Sequence, residues 1–220
     1  IVWGAVIIAP SANSAGAVYF LNIGQGDSSL IELGGGVRAL IDSGPSGKAL
    51  LENLASVLPP QTKYIDLLVM THPQLDHFGG FIEVLKNYEV GAFISSGRKS
   101  DVAAYPELHD LLESKQVPYI QLKEGDAIKY GDIELSVLGP SAQNLLSGEL
   151  NDTGIVLLLK TSDFSALYTA DIGENVEKEL LQKYDLDVDV LKVGHHGSRF
   201  SSGTEFLKEI SPEFSIIEVG

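Results

Sequence analysis

The sequence predicts an α/β fold, an αββα sandwich of two mixed β-sheets with helices on the outer faces. Three observations carry this expectation. Short apolar runs punctuated by glycine come first and then alternate with helical segments, and that rhythm occurs in both halves of the chain. Two of the runs, 65–70 and 188–193, are mostly Ile, Leu, Val and Met, broken only by Asp66 and by Asp189 and Lys192, and read as buried strands. Each of these two runs leads into a histidine-bearing loop.

Taken in order, residues 17–23, 28–33 and 37–41 read as strands, separated by Gly24-Gln25-Gly26-Asp27 and Gly34-Gly35-Gly36. Residues 47–58 read as a helix that Pro59-Pro60 stops. The strand 65–70 delivers the chain into a loop over 72–80, followed by a helix over 79–88, a strand over 90–95 and a helix over 105–114. In the second half, 127–130 and 133–138 form a hairpin around Gly131-Asp132, and 154–160 pairs with 166–169. A helix over 174–184 precedes the strand 188–193, which runs into Gly194-His195-His196-Gly197-Ser198. A helix over 203–210 and a strand over 214–219 close the chain.

With 220 residues, 44% of them hydrophobic and 20% charged, the chain has the composition of one globular domain. No repeat is visible, and no stretch is long enough to cross a bilayer. Residues 1–10 are apolar, without an initiator Met or a basic flank, and 11–15 are small. Segment 1–16 therefore resembles the end of a signal peptide or membrane anchor plus a linker, the alternative being a first strand and a loop. The domain proper is expected over 17–220, as a monomer that is extracytoplasmic, secreted or membrane-anchored.

The net charge of −15, from 15 basic and 30 acidic residues, argues against a broad surface that grips phosphates. A polyanion would have to be held locally, and divalent cations among clustered carboxylates would relieve the repulsion. The plain alternative is an acidic surface kept for solubility. Cysteine is absent, which excludes thiolate zinc sites, disulfides and cysteine nucleophiles.

Four of the five histidines fall in two clusters, each directly after a buried strand, where a rigid scaffold fixes the start of a loop. His72, Asp76 and His77 bring two imidazoles and a carboxylate into six residues, the donor types that hold zinc, manganese or iron. Gly79-Gly80 after them reads as a tight turn. His195 and His196 form the second cluster. The fifth histidine, His109, reads as a solvated side chain on a polar helix, and Lys192 and Arg199 beside the second cluster read as surface charges.

The blocks Phe20-Leu21-Asn22-Ile23-Gly24-Gln25-Gly26-Asp27, Leu40-Ile41-Asp42-Ser43-Gly44, Thr71-His72-Pro73-Gln74-Leu75-Asp76-His77, Asn151-Asp152-Thr153, Thr169-Ala170-Asp171-Ile172 and Leu191-Lys192-Val193-Gly194-His195-His196-Gly197-Ser198 occur in that order. Together they resemble the metallo-β-lactamase superfamily, whose mark is His-x-His-x-Asp-His after a buried strand. The nearer likeness is to ComEC-type hydrolase domains and their exported single-domain relatives.

The resemblance implies one or two divalent ions, Zn or Mn. His72 would serve a first metal position and Asp76 and His77 a second, with Asp171 bridging. His195 would complete the second position, although His196 fits the same place. Asp42 would hold the histidine loop, and Asn151 and Asp152 occupy the slot of another ligand in many members. Asp27 matches a ComEC-type motif near the site, and Ser198 stands beside the second cluster. Gln74 departs from the pattern, because a neutral amide replaces a ligand and is weaker than imidazole or carboxylate. The first position is thus expected to be poorer than the second.

The implied chemistry is hydrolysis. A bound ion lowers the pKa of water from about 15.7 toward about 7, while Asp76 or the spare histidine, His196, manages protons. The ComEC-type likeness points to phosphodiesters, DNA included. The alternatives are a hydrolase of small esters, lactones or β-lactams, and a binding domain with a degraded metal site.

Overall fold

The computed structural model describes residues 6–8 and 16–220. The expected leader or anchor remnant, 1–16, lies largely outside them. Within it, Val6–Ile8 form strand β1, antiparallel to β2 (Ala17–Phe20) with Val6 opposite Phe20. Among the described residues, no helix is long and apolar enough to cross a membrane. The chain divides into two compact units, residues 1–121 with 219–220, and residues 122–218.

In the first unit β2 is followed by β3 (Ser29–Glu32) and β4 (Arg38–Ile41), a meander paired antiparallel throughout. Helix α1 (Gly47–Val57) then crosses to β5 (Tyr64–Val69), and α2 (Leu75–Phe78) and α3 (Phe81–Asn87) cross to β6 (Glu89–Ser95). Helix α4 (Tyr105–Ser114) leads to β7 (Tyr119–Gln121). Strands β4 to β7 are parallel, so the seven-stranded sheet is mixed and its spatial order equals its chain order. The helical crossovers follow from the parallel pairing, which a tight turn cannot connect.

Helix spacing explains the core. Leu50 and Leu54 of α1, Phe81, Val84 and Leu85 of α3, and Tyr105, Leu108 and Leu112 of α4 recur at three- and four-residue steps and are buried with Leu68 and Phe93 of the sheet. Phe81 meets Phe93 edge to face at 5.7 Å between ring centres. Truncating either ring to Ala would cost about 3–5 kcal/mol.

The second unit opens with the hairpin β8 (Ala127–Tyr130) and β9 (Ile133–Gly139), with Tyr130 opposite Ile133. It continues through β10 (Val156–Lys160) and β11 (Ser165–Tyr168), all antiparallel. Helix α5 (Glu174–Lys183) crosses to β12 (Val190–Lys192), and α6 (Thr204–Ile210) to β13 (Phe214–Ile216), both parallel additions. This six-stranded sheet is mixed too. Val176 and Leu180 of α5 and Phe206 and Ile210 of α6 pack with Leu167 and Leu191.

Two elements escaped the sequence reading. Strand β7 is three exposed residues at the sheet edge, held by pairing with β6 rather than by an apolar pattern. Helix α2 is one turn inside the expected ligand loop, too short to show periodicity. The role given to Gly79-Gly80 also changes. Both have helical φ, −57° and −70°, so no tight turn requires them. A Cβ on Gly79 would come within 2.2 Å of Pro45 O, and one on Gly80 within 2.1 Å of Ser43 O, so close backbone approach is what excludes a side chain.

Candidate metal centre

Functional side chains of the first unit gather where β4 and β5 end. Asp42 follows β4 with φ at +54°, a left-handed conformation uncommon outside glycine, and its N–H is tied to Val69 O at 2.8 Å. Its carboxylate is 1% exposed and accepts three bonds: from Thr71 N–H at 2.8 Å, from the Thr71 hydroxyl at 2.7 Å and from His77 Nδ1 at 2.8 Å. Burial pushes the Asp42 carboxyl above its ordinary value, and the facing imidazole of His77 pulls it back down.

These bonds assign both histidine tautomers. A carboxylate only accepts, so His77 Nδ1 carries the proton and Nε2 offers its lone pair. The Thr71 hydroxyl spends its hydrogen on Asp42, so it accepts from His72 Nδ1 at 3.1 Å, which again leaves Nε2 as the donor atom. The two rings, both fully buried, lie 4.0 Å apart between centroids. One carboxylate therefore prepares two imidazoles for a cation, directly in one case and through a hydroxyl in the other.

The Gly24–Asp27 loop is fitted against the same segment. Asp27 donates its N–H to Asp76 O at 3.1 Å, and its buried carboxylate lies 3.8 Å from His77 Nδ1. Asp27, Asp42 and His77 keep ligand-type atoms within 4.8 Å of one another. Gly26 has φ +121°, and a Cβ there would stand 2.4 Å from Asp76 O. Asp76 itself is half-buried in the first turn of α2, and Gln74 starts that turn, accepting from His77 N–H at 3.0 Å.

In the second unit Asp171 follows β11 through Ala170, which has φ +47°, and is 1% exposed. His195 and His196 follow β12 with φ of +50° and +53°, two consecutive left-handed residues. His195 N–H bonds Ala170 O at 3.1 Å, Thr169 Oγ1 bonds Lys192 O at 2.9 Å, and Ser201 Oγ bonds Gly194 O at 2.8 Å. Residues held in this sparsely populated region at three such positions mark a site where geometry outweighs backbone comfort. The ring brought to Asp171 is that of His196, with Nε2 3.6 Å from Oδ2. His196 Nδ1 donates to Glu218 O at 2.9 Å, so its Nε2 is the unprotonated nitrogen.

Within the first unit the structure brings His72, His77, Asp27 and Asp42 together, and within the second Asp171 and His196. His195, the histidine first assigned to the ligand set, joins no ligand group among the described residues. Asn151 to Thr153 form a single 3₁₀ turn, and the Asp152 carboxylate accepts from Ser147 Oγ at 2.8 Å. Ser198 closes the second loop, with its N–H on His195 O at 2.8 Å. Lys192 is buried, not a surface charge, whereas Arg199 is exposed with its guanidinium 4.7 Å over the Phe200 ring. His109 is not solvated either: its ring packs on Tyr105 at 4.6 Å.

Sequence reasoning missed Thr71, whose place just before His72 was the available signal, and Glu177. The Glu177 carboxylate, 1% exposed, accepts from Ser202 N–H and, at 2.9 Å, from Gly203 N–H, so it ties the end of the second loop to α5. Its three-residue step to Leu180 on the buried face of α5 was the available signal.

A profile of the metallo-β-lactamase superfamily matches residues 21–217. The chain belongs to that superfamily. It is 30% identical to ComE operon protein 3 of Bacillus subtilis strain 168, over 98% of this chain and 30% of the relative. It is 27% identical to Recombination protein 2 of Haemophilus influenzae, over 91% of this chain and 24% of the relative. These are ComEC-type competence proteins, and the chain spans less than a third of their length. Among solved structures, the metallo-β-lactamase fold protein YhfI from Bacillus subtilis superposes with a TM-score of 0.59, at 14% identity, over 98% of this chain and 86% of that one. The expected superfamily fold and the ComEC-type likeness are both borne out. The donor set suits the divalent ion the superfamily implies: imidazoles whose Nε2 atoms are kept unprotonated, buried carboxylates and no thiolate.

Proposed function

We propose that this chain is a metal-dependent phosphodiesterase of nuclease type, acting on DNA or a related phosphodiester. The observation that carries the reading is the Asp42 carboxylate, which fixes His77 directly and His72 through Thr71, in each case by the Nδ1 atom. His72, Asp76, His77, Asp171 and one of His195 and His196 are the proposed ligands of one or two ions, zinc or manganese. When bound, such an ion supplies an acidified water and an electrophilic pole for a phosphoryl oxygen. The likeness to competence proteins supports the choice of phosphodiester.

The chain's own groups supply the rest. Buried Asp42 holds the imidazoles against rotation, and the positive-φ turns at Asp42, Ala170 and His196 set the ligand directions. Asp76, half-buried in α2, or the histidine left out of the ligand set, takes the proton released as water adds to phosphorus and the ester P–O bond breaks. The acidic balance of −15 is consistent with a substrate held locally through cations. The proposal includes an extracytoplasmic monomer, released or tethered through segment 1–16.

The test combines metal analysis with hydrolysis of bis(p-nitrophenyl) phosphate and of single-stranded DNA, with a chromogenic cephalosporin and a lactone as controls. Chelation should abolish phosphodiester hydrolysis and Mn²⁺ or Zn²⁺ should restore it. Metal-loaded protein that hydrolyses a control substrate but neither phosphodiester, or activity indifferent to chelation, refutes the reading.

A further inference from the structure

The parallel strands of the first unit carry a second feature at the end that bears the histidine loop. Register aligns Val69 of β5 with Ile94 of β6, and Ile94 with Ile120 of β7. The residues just after, Met70, Ser95 and Gln121, therefore stand side by side, about 5 Å apart per strand and so about 10 Å from β5 to β7. Along α4 and the ends of β6 and β7 lies a cavity of about 360 Å³ whose lining includes Gly97, Lys99, Tyr105, His109, Tyr119 and Gln121, with Glu113 as its one acidic residue.

Its chemistry is that of a seat for a flat heterocycle. His109 packs between Tyr105, at 4.6 Å, and Tyr119, at 5.6 Å. Both tyrosine hydroxyls are engaged, Tyr105 donating to Arg98 O at 3.1 Å and Tyr119 bonding Ser95 Oγ, so the rings are held in place. Tyr119 already stacks on Phe93 at 5.6 Å between ring centres and keeps 36% of its surface exposed, so contact with a ligand falls to the exposed part of its ring. His109 Nε2 is enclosed and has no hydrogen-bond partner among the described residues. Burial, then the charge of Lys99, holds this imidazole below its ordinary value, so it faces the cavity neutral. Gly97 has φ +81°, and a Cβ there would strike the Gln121 amide at 2.7 Å, so the glycine makes room for that side chain. Arg98-Lys99 is the only adjacent basic pair in a chain of net charge −15.

We propose that this cavity is a subsite for one unpaired base of a single-stranded nucleic acid, stacked on Tyr119, read at its edge by Gln121 and His109, with Lys99 beside the adjoining phosphate. Aromatic rings bind bases through stacking that tolerates any sequence, and a carboxamide pairs with the edge of a base. Ligands of parallel α/β sheets bind beyond the carboxyl ends of the strands, which is where this cavity lies. The inference rests on the phosphodiesterase reading for its substrate and adds the residues that would distinguish nucleic acid from other phosphodiesters.

Two phosphorothioate-linked hexamers resist cleavage and separate the contributions: labelled deoxythymidine hexamer and its abasic counterpart, titrated into the intact chain. The base-bearing hexamer should bind at least about tenfold more tightly. Tyr119→Leu and Gln121→Ala should each erase most of that ratio, and Gln121 is exposed enough that its variant tests the point even where Tyr119→Leu unfolds. Lys99→Ala should weaken both hexamers alike and flatten the salt dependence. Equal binding of the two hexamers, or a ratio that survives both ring and amide variants, overturns the subsite. Base preference without hydrolysis of bis(p-nitrophenyl) phosphate overturns the phosphodiesterase reading alone, and hydrolysis without base preference overturns the subsite alone.

Discussion

The hydroxyl of Thr71 stands 2.7 Å from Asp42 Oδ2 and 3.1 Å from His72 Nδ1, and so transmits the orientation set by one carboxylate to a second imidazole. Thr71→Val keeps the shape of the side chain and removes the relay. It is expected to weaken divalent-metal binding about 10–100-fold, the usual effect of losing a group that orients a ligand. Thr71→Ser should recover most of it. Competition with a chromophoric chelator measures both, and an unchanged affinity in the valine variant would sink this division of labour.

A second expectation separates the paired histidines. His196 Nε2 lies 3.6 Å from Asp171 while Nδ1 is bound to Glu218 O, and His195 belongs to no such group among the described residues. His196→Ala should therefore reduce bound metal by at least about tenfold more than His195→Ala does. The reverse order in metal analysis after dialysis would return the ligand role to His195.

Gly26→Ala should destabilise the fold without altering any candidate ligand side chain. The new Cβ would meet Asp76 O at 2.4 Å, and the φ of +121° suits glycine alone. A loss of at least about 2 kcal/mol is expected in urea unfolding. A variant as stable as the parent would mean that the Gly24–Asp27 loop is free to move away.

Glu177 gives a pH signature. Burial raises its carboxyl above the ordinary 4.5, with the N–H groups of Gly203 and Ser202 pulling it back. A carboxyl whose folded pKa exceeds its unfolded one binds its proton better in the folded state. Its contribution to stability is complete below the unfolded value and is lost as pH rises through the folded one. The parent should therefore gain stability over Glu177→Gln as pH falls from neutral toward 4.5, read by urea unfolding at successive pH values. A difference independent of pH would show that this carboxyl titrates as it does in the unfolded chain.

The α/β class and most elements were legible in the sequence, because period and punctuation are local properties. Helix α4 and strand β8 fall at the bounds expected of them, and the runs 65–70 and 188–193 lead into the histidine loops as read. The candidate donors were legible too, since His72, Asp76 and His77 are close in the chain whatever the fold. What orients those donors emerges from long-range pairing. Asp42 reaches His77 across 35 residues because β4 and β5 are parallel neighbours in one register, a pairing that the spacing of either strand does not encode. The same holds for β7, three exposed residues made a strand by their neighbour, and for His109, which reads as polar on its helix until Tyr119 closes over it. Which of His195 and His196 meets Asp171 was likewise settled by two left-handed backbone turns, a conformation no side-chain pattern announces.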